Sequence, residues 1–115
     1  MERTLAGAAL VAAGGFAGAV TRYAVDIAAG DVTGLGTLLV NVVGSFALGL
    51  LVTRATEVRT RLFVGTGFVS SFTTYSTFAA DAVALGTVAG TGYVLVSYAS
   101  GLLAAMAGLA LGRRL

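Results

Sequence analysis

The chain has 115 residues, of which 57% are hydrophobic and 10% charged, and its formal net charge is +2. A soluble domain carries about 25% charged residues, so this composition, with a mean hydropathy of +0.96, describes a membrane protein. Histidine, lysine, cysteine and tryptophan are absent, which removes the commonest acid–base catalyst, any disulfide framework and nearly every usual transition-metal ligand, and argues against an enzyme.

Uncharged runs cover residues 4–21, 32–53, 62–80 and 82–112. Because a spanning helix needs roughly 20 residues, the runs predict an all-α membrane protein with four transmembrane helices in a single domain, residues 1–115. The expected spans are about 4–28, 32–53, 62–81 and 91–112, with the glycine-rich start of the last run (Gly86, Gly90, Gly92) serving as a connection. Residues 1–20 also have the outline of a signal peptide, with Glu2 and Arg3 ahead of an apolar core. The glycine pattern and the three following spans favour a first span instead.

In the first span, Gly14, Gly15, Gly18 and Ala19 form overlapping small-xxx-small spacings, which let helix backbones approach closely where lipid supplies no hydrophobic drive. Arg22 follows, with Asp26 one turn on. The two form an i,i+4 pair near the interface, or else Arg22 attracts anions to a vestibule or braces a site.

In the second span, Thr37, Asn41 and Ser45 recur at i, i+4 and i+8 and draw one polar stripe along an apolar helix. An amide in hydrocarbon is costly without partners, so Asn41 faces either another helix or a polar path.

The third span contains "SSFTTYSTFAAD", residues 70–81, in which seven of the first nine side chains carry a hydroxyl. A lone Ser or Thr commonly bonds back to its own helix. Seven together predict a broken helix, and non-helical backbone at membrane depth persists only where protein buries it or a polar cavity adjoins it. Carbonyls freed at such a break suit a hard cation such as Na⁺. Tyr75 and Phe78 fall on one face, and their ring edges carry the positive part of the aromatic quadrupole.

The fourth span offers Ser97 and Ser100. Ser97 extends the polar track or bonds within the helix; for Ser100 the second reading is preferred. Amide and hydroxyl donors, aromatic edges, one arginine and no buried carboxylate together suit a small dehydrated anion. Asp26, Asp31 and Asp81 lie at span ends, whereas a cation pathway calls for an embedded carboxylate.

All seven basic residues are arginine. With four spans, Arg3, Arg54, Arg59, Arg61, Arg113 and Arg114 share one side and Arg22 stands alone on the other, so the termini are expected in the cytoplasm. Four thin helices enclose little interior, which places a pore between two copies. The expected surroundings are the lipid bilayer of the cell membrane; no nucleic-acid partner is expected.

At these residues the chain resembles the Fluc/CrcB family of fluoride channels. The resemblance runs through "GGFAGAVTRY" at 14–23, "GTLLVNVVGSFALG" at 36–49 and "GTGFVSSFTTYSTF" at 65–78, in the family's order and spacing. It implies two subunits inserted antiparallel, of the dual-topology type, fluoride leaving the cytoplasm through pores at their interface, and a structural Na⁺ held by backbone carbonyls at the break. It further implies that Asn41 is the pore asparagine, that Thr37 and Ser97 are polar-track residues, and that Tyr75 and Phe78 occupy the aromatic box. Arg22 corresponds to the arginine after the glycine-rich motif, and the Na⁺ carbonyls correspond to Ser70 and Thr73. This chain has Val69-Ser70-Ser71 where the family usually has Cys-Gly-Gly, and Tyr75 where a phenylalanine is usual.

Two alternatives stand beside this one. A small multidrug-resistance-type transporter has the same length and span count but calls for a glutamate in its first span, which is lacking here. The arginine bias and Tyr75 instead suggest a partner subunit of a heterodimeric channel, set beside a homologue of opposite bias rather than in an antiparallel homodimer.

Overall fold

The computed structural model describes residues 4–54 and 57–115. The described residues form helices and short connections without strands. Helix α1 spans Leu5–Ala29, α2 spans Leu35–Arg54, α3 is the single turn Val58–Thr60, and a π-helical stretch, Arg61–Val69, continues it. Next come α4 (Ser70–Phe72), α5 (Ser76–Leu85) and α6 (Thr87–Arg114). Arg3, expected on the arginine-rich side, lies outside the described residues.

Three helices, α1, α2 and α6, are long and apolar enough to cross a membrane. At 1.5 Å per residue, the 20 residues of α2 extend about 30 Å, the thickness of a bilayer's hydrocarbon core. The chain is therefore a multi-pass, all-helical membrane protein. Its large exposed apolar side chains, Phe16, Val52, Leu95 and Leu103 among them, would be anomalous in water and are expected against lipid or another subunit.

Each long helix begins and ends for local reasons. The Thr4 hydroxyl accepts the Gly7 N–H at 3.1 Å and caps α1, and Gly30, at φ 72°, ends it. Gly86, at φ 88°, forms the corner between α5 and α6. Helix α6 starts directly after it, so Gly90 and Gly92, expected in a connection, lie inside the helix. Gly90 is there because a Cβ would collide with the Ala82 carbonyl of α5.

Close backbone contacts then assemble two helix pairs. Helix α1 lies against the π-helical stretch: a Cβ on Gly14 would run into the Phe63 carbonyl, and one on Gly18 into the Phe68 carbonyl. From the other side, a Cβ on Gly67 would stand 2.7 Å from the Val11 carbonyl oxygen. Helix α2 packs on α6 in the same manner, with Gly49 against the Ala105 carbonyl and Gly108 against that of Phe46. Among the described residues, Val40, Val69, Phe72 and Phe78 are the buried large apolar side chains; three of them lie within the segment 69–78 that holds the break.

Candidate functional site

The break expected at residues 70–78 is present and short. Helix α4 stops at Phe72, Thr73 turns to an extended conformation (φ −83°, ψ 161°), and α5 resumes at Ser76. Asn41 of α2 faces this gap with both ends of its amide: Nδ2 donates to the Thr74 carbonyl at 2.9 Å, and Oδ1 accepts the Thr74 N–H at 2.8 Å. The Thr77 N–H donates to the Thr74 hydroxyl at 3.2 Å. In a continuous helix these two N–H groups would bond to the carbonyls of Ser70 and Thr73. Neither carbonyl receives a backbone N–H among the described residues.

The hydroxyls divide between two tasks. Ser70 donates back to the Thr66 carbonyl and Thr73 to the Val69 carbonyl, the latter at 2.9 Å, satisfying the end of the preceding helical turn. Thr74 accepts across the gap. On α2, Ser45 donates to the Asn41 carbonyl at 2.7 Å, so of its polar stripe Asn41 is the residue that hydrogen-bonds to the break.

A groove of about 470 Å³ opens beside the break, lined by Asn41, Ser45, Thr73, Thr74, Tyr75, Phe78, Ser97 and Tyr98 together with Gly101 and Leu102. Among the described residues, no ionisable acid or base other than the two phenols contributes to its wall. Phe78 is its buried centre, with ring centroids 5.7 Å from Tyr75, 5.6 Å from Tyr93 and 5.9 Å from Tyr98. The Tyr98 ring meets Phe78 edge-on at 89°. Tyr75 is 71% exposed, so its phenol stands at the open side of the groove. The Ser97 Oγ is buried and, among the described residues, no partner lies within normal hydrogen-bond geometry of it.

Thr37 and Arg22 lie elsewhere. Both line a neighbouring cavity of about 240 Å³ with Asp26, Thr74 and Thr77, and Thr74 belongs to both spaces. Thr37, 5% exposed, donates its hydroxyl to Asp81 Oδ2 at 2.8 Å. Asp81, read from the sequence only as a span-end charge, is thus tied to the polar stripe of α2. Arg22 and Asp26, one helical turn apart, open onto the shared cavity with no salt bridge between them. Ser70 is exposed and lines neither space.

Tyr93 and Tyr98 were not singled out by the sequence analysis. Tyr93 donates to the Gly34 carbonyl at 3.0 Å and fastens α6 to the turn before α2, where Gly34 (φ 85°) leaves no room for a Cβ beside the ring. The available signal was the i,i+4 spacing of Tyr93 and Ser97, which sets both on one face of α6. Ser100 bonds to the Val96 carbonyl of its own helix at 2.6 Å, the bond preferred for it from the sequence.

An all-helical membrane protein whose polar groove forms where a helix is interrupted has the features of a channel or transporter. Residues 9–109 match the family described as CrcB-like protein, Camphor Resistance (CrcB), and the chain belongs to that family. It is 46% identical over 103 residues to the fluoride-specific ion channel FluC 1 of Natronomonas pharaonis, an alignment covering 85% of this chain and 87% of the relative. With FluC of Agrobacterium fabrum it shares 44% identity over 120 residues, covering 93% and 96%. With FluC 2 of Bacillus cereus it shares 38% over 113 residues, covering 91% and 96%.

Proposed function

We propose that the chain is a subunit of a fluoride channel that lets fluoride leave the cytoplasm down its electrochemical gradient and so lowers fluoride toxicity. The observation that carries this is the wall of the groove beside the break, where the Asn41 amide, hydroxyls and aromatic rings meet and no described carboxylate takes part. Such a wall repels no anion and replaces part of the hydration shell of an ion that accepts strong hydrogen bonds. The names of the relatives, fluoride-specific ion channels rather than enzymes, point the same way.

In this reading the interrupted segment from Val58 to Leu85 is a spanning element between α2 and α6, giving four in all. Two copies inserted antiparallel close the open grooves on one another, with most termini in the cytoplasm. Asn41, Ser97, Tyr75 and Phe78 line the fluoride path, Thr37 continues it, and Arg22 draws anions toward it or braces its end. A structural Na⁺ fits the carbonyls of Ser70 and Thr73, hard oxygen donors that lack helical partners. When bound, it supplies fixed positive charge at the break and is not itself transported.

Ser97→Ala separates path from scaffold. Because its oxygen makes no hydrogen bond within normal distance among the described residues, removing it is expected to leave thermal stability nearly unchanged, or to raise it by up to ~1 kcal/mol, while fluoride efflux slows. A loss of stability in thermal unfolding, with efflux intact, would contradict its place on the path.

Cells lacking their own fluoride exporters test the function. Expressing this chain, they are expected to grow in fluoride that arrests the empty-vector control and to accumulate less of it; growth no better than the control sinks the proposal. The lopsided arginines favour a second reading, pairing with a homologue of opposite charge bias, since most copies would insert one way. Rescue that appears only when such a homologue is co-expressed would establish that reading over the homodimer.

A further inference from the structure

At the break Thr73–Tyr75, two backbone N–H groups are held by side chains in place of the carbonyls that a continuous helix would offer them. The Thr74 N–H is held by Asn41 Oδ1 at 2.8 Å and the Thr77 N–H by Thr74 Oγ1 at 3.2 Å. A third bond, from Asn41 Nδ2 to the Thr74 carbonyl at 2.9 Å, fixes the gap against α2. Without these side-chain partners, both N–H groups have a helical acceptor one turn back, Ser70 for the first and Thr73 for the second. Closing those bonds would consume the two carbonyls assigned above to the cation.

We propose that Asn41 and Thr74 are positioning residues for the Na⁺ site. Neither side chain contributes a ligand; each captures an N–H and thereby frees one carbonyl. Asn41 acts from α2, so it couples the cation site to the helix that lines the groove, whereas Thr74 acts within the segment. The inference rests on the Na⁺ reading of the previous section. The plainer role for Thr74 is a cap on α5, which stabilises a helix by ~1 kcal/mol whatever cation is present.

Cation linkage distinguishes the two roles, because a ligand that binds only the folded state stabilises it according to its own affinity. Thermal unfolding of the purified whole protein in detergent is followed while NaCl replaces N-methylglucamine chloride at constant ionic strength. Wild type is expected to gain stability with Na⁺. Thr74→Val, similar in shape but without the acceptor oxygen, is expected to need at least about tenfold more Na⁺ for the same gain, a factor equivalent to ~1.4 kcal/mol. Thr74→Ser, which keeps the oxygen, is expected to restore the wild-type midpoint. Thr74→Ala provides the same comparison if the valine variant yields too little folded protein.

Equal destabilisation of Thr74→Val in both salts, with an unchanged Na⁺ midpoint, would make Thr74 a helix cap only and overturn the inference. A wild type indifferent to Na⁺ would overturn the cation reading itself, and the positioning role with it. A raised midpoint in both oxygen-free variants, reversed by serine, would establish the role.

Discussion

Asn41→Leu is expected to cut fluoride flux per folded protein by at least about tenfold, the effect of losing ~1.4 kcal/mol of donor interaction with a dehydrated ion. The same change removes both bonds that tie Thr74 to α2. An interhelical hydrogen bond in a membrane contributes about 0.6 to 2 kcal/mol, so thermal stability is expected to fall by an amount of that order. The sequence left open whether Asn41 joins helices or lines a path, and the geometry supports both roles. Its Oδ1 and one Nδ2 hydrogen meet the break; the residue also lines the groove, and its amide carries a second Nδ2 hydrogen. Normal flux from a destabilised variant would make Asn41 helix glue alone.

The second large effect is steric. Gly14→Ala is expected to destabilise the fold by on the order of 1–3 kcal/mol, as overpacking does in a close-fitting core, because the new methyl would collide with the Phe63 carbonyl. Backbone cannot step aside as the end of a flexible side chain can. Gly92→Ala is the control: nothing lies within 4 Å of its Cβ position, and alanine is the better helix former by ~1 kcal/mol. It is expected to be neutral or stabilising. Thermal unfolding and the fraction of monodisperse protein after purification read both variants, and equal behaviour of the two would refute the close approach of α1 to the π-helical stretch.

These contrasts show where the sequence was informative. Small-xxx-small spacing marked Gly14 and Gly18 correctly, because tight helix contact in lipid needs small residues at helical intervals. The same residue type misled at Gly90 and Gly92, since a glycine-rich run before a long apolar stretch looks like a connection until Ala82 is seen against Gly90. The break was legible because hydroxyls so concentrated exceed what helix back-bonding can use, although the sequence could not say that Asn41 would hold Thr74. The π-helical stretch left no signal: nine residues at a slightly wider turn carry the same apolar composition as an α-helix. Asp81 was undervalued because its partner, Thr37, is 44 residues away in sequence. Tyr93 and Tyr98 were missed because aromatic residues in an apolar span ordinarily face lipid or core. Only the fold brings them around Phe78.

Paired ion efflux from liposomes tests most directly whether donors along the groove select a small anion. Vesicles containing this chain, together with its homologue if cellular rescue requires one, are loaded with equal potassium fluoride and chloride. Release of each anion is followed with its own electrode after valinomycin is added. Rapid fluoride release with chloride retained is the predicted result, because only the smaller ion regains from closely set donors what it loses in hydration. Release of both anions at similar rates, or of neither from demonstrably folded protein, would contradict the account.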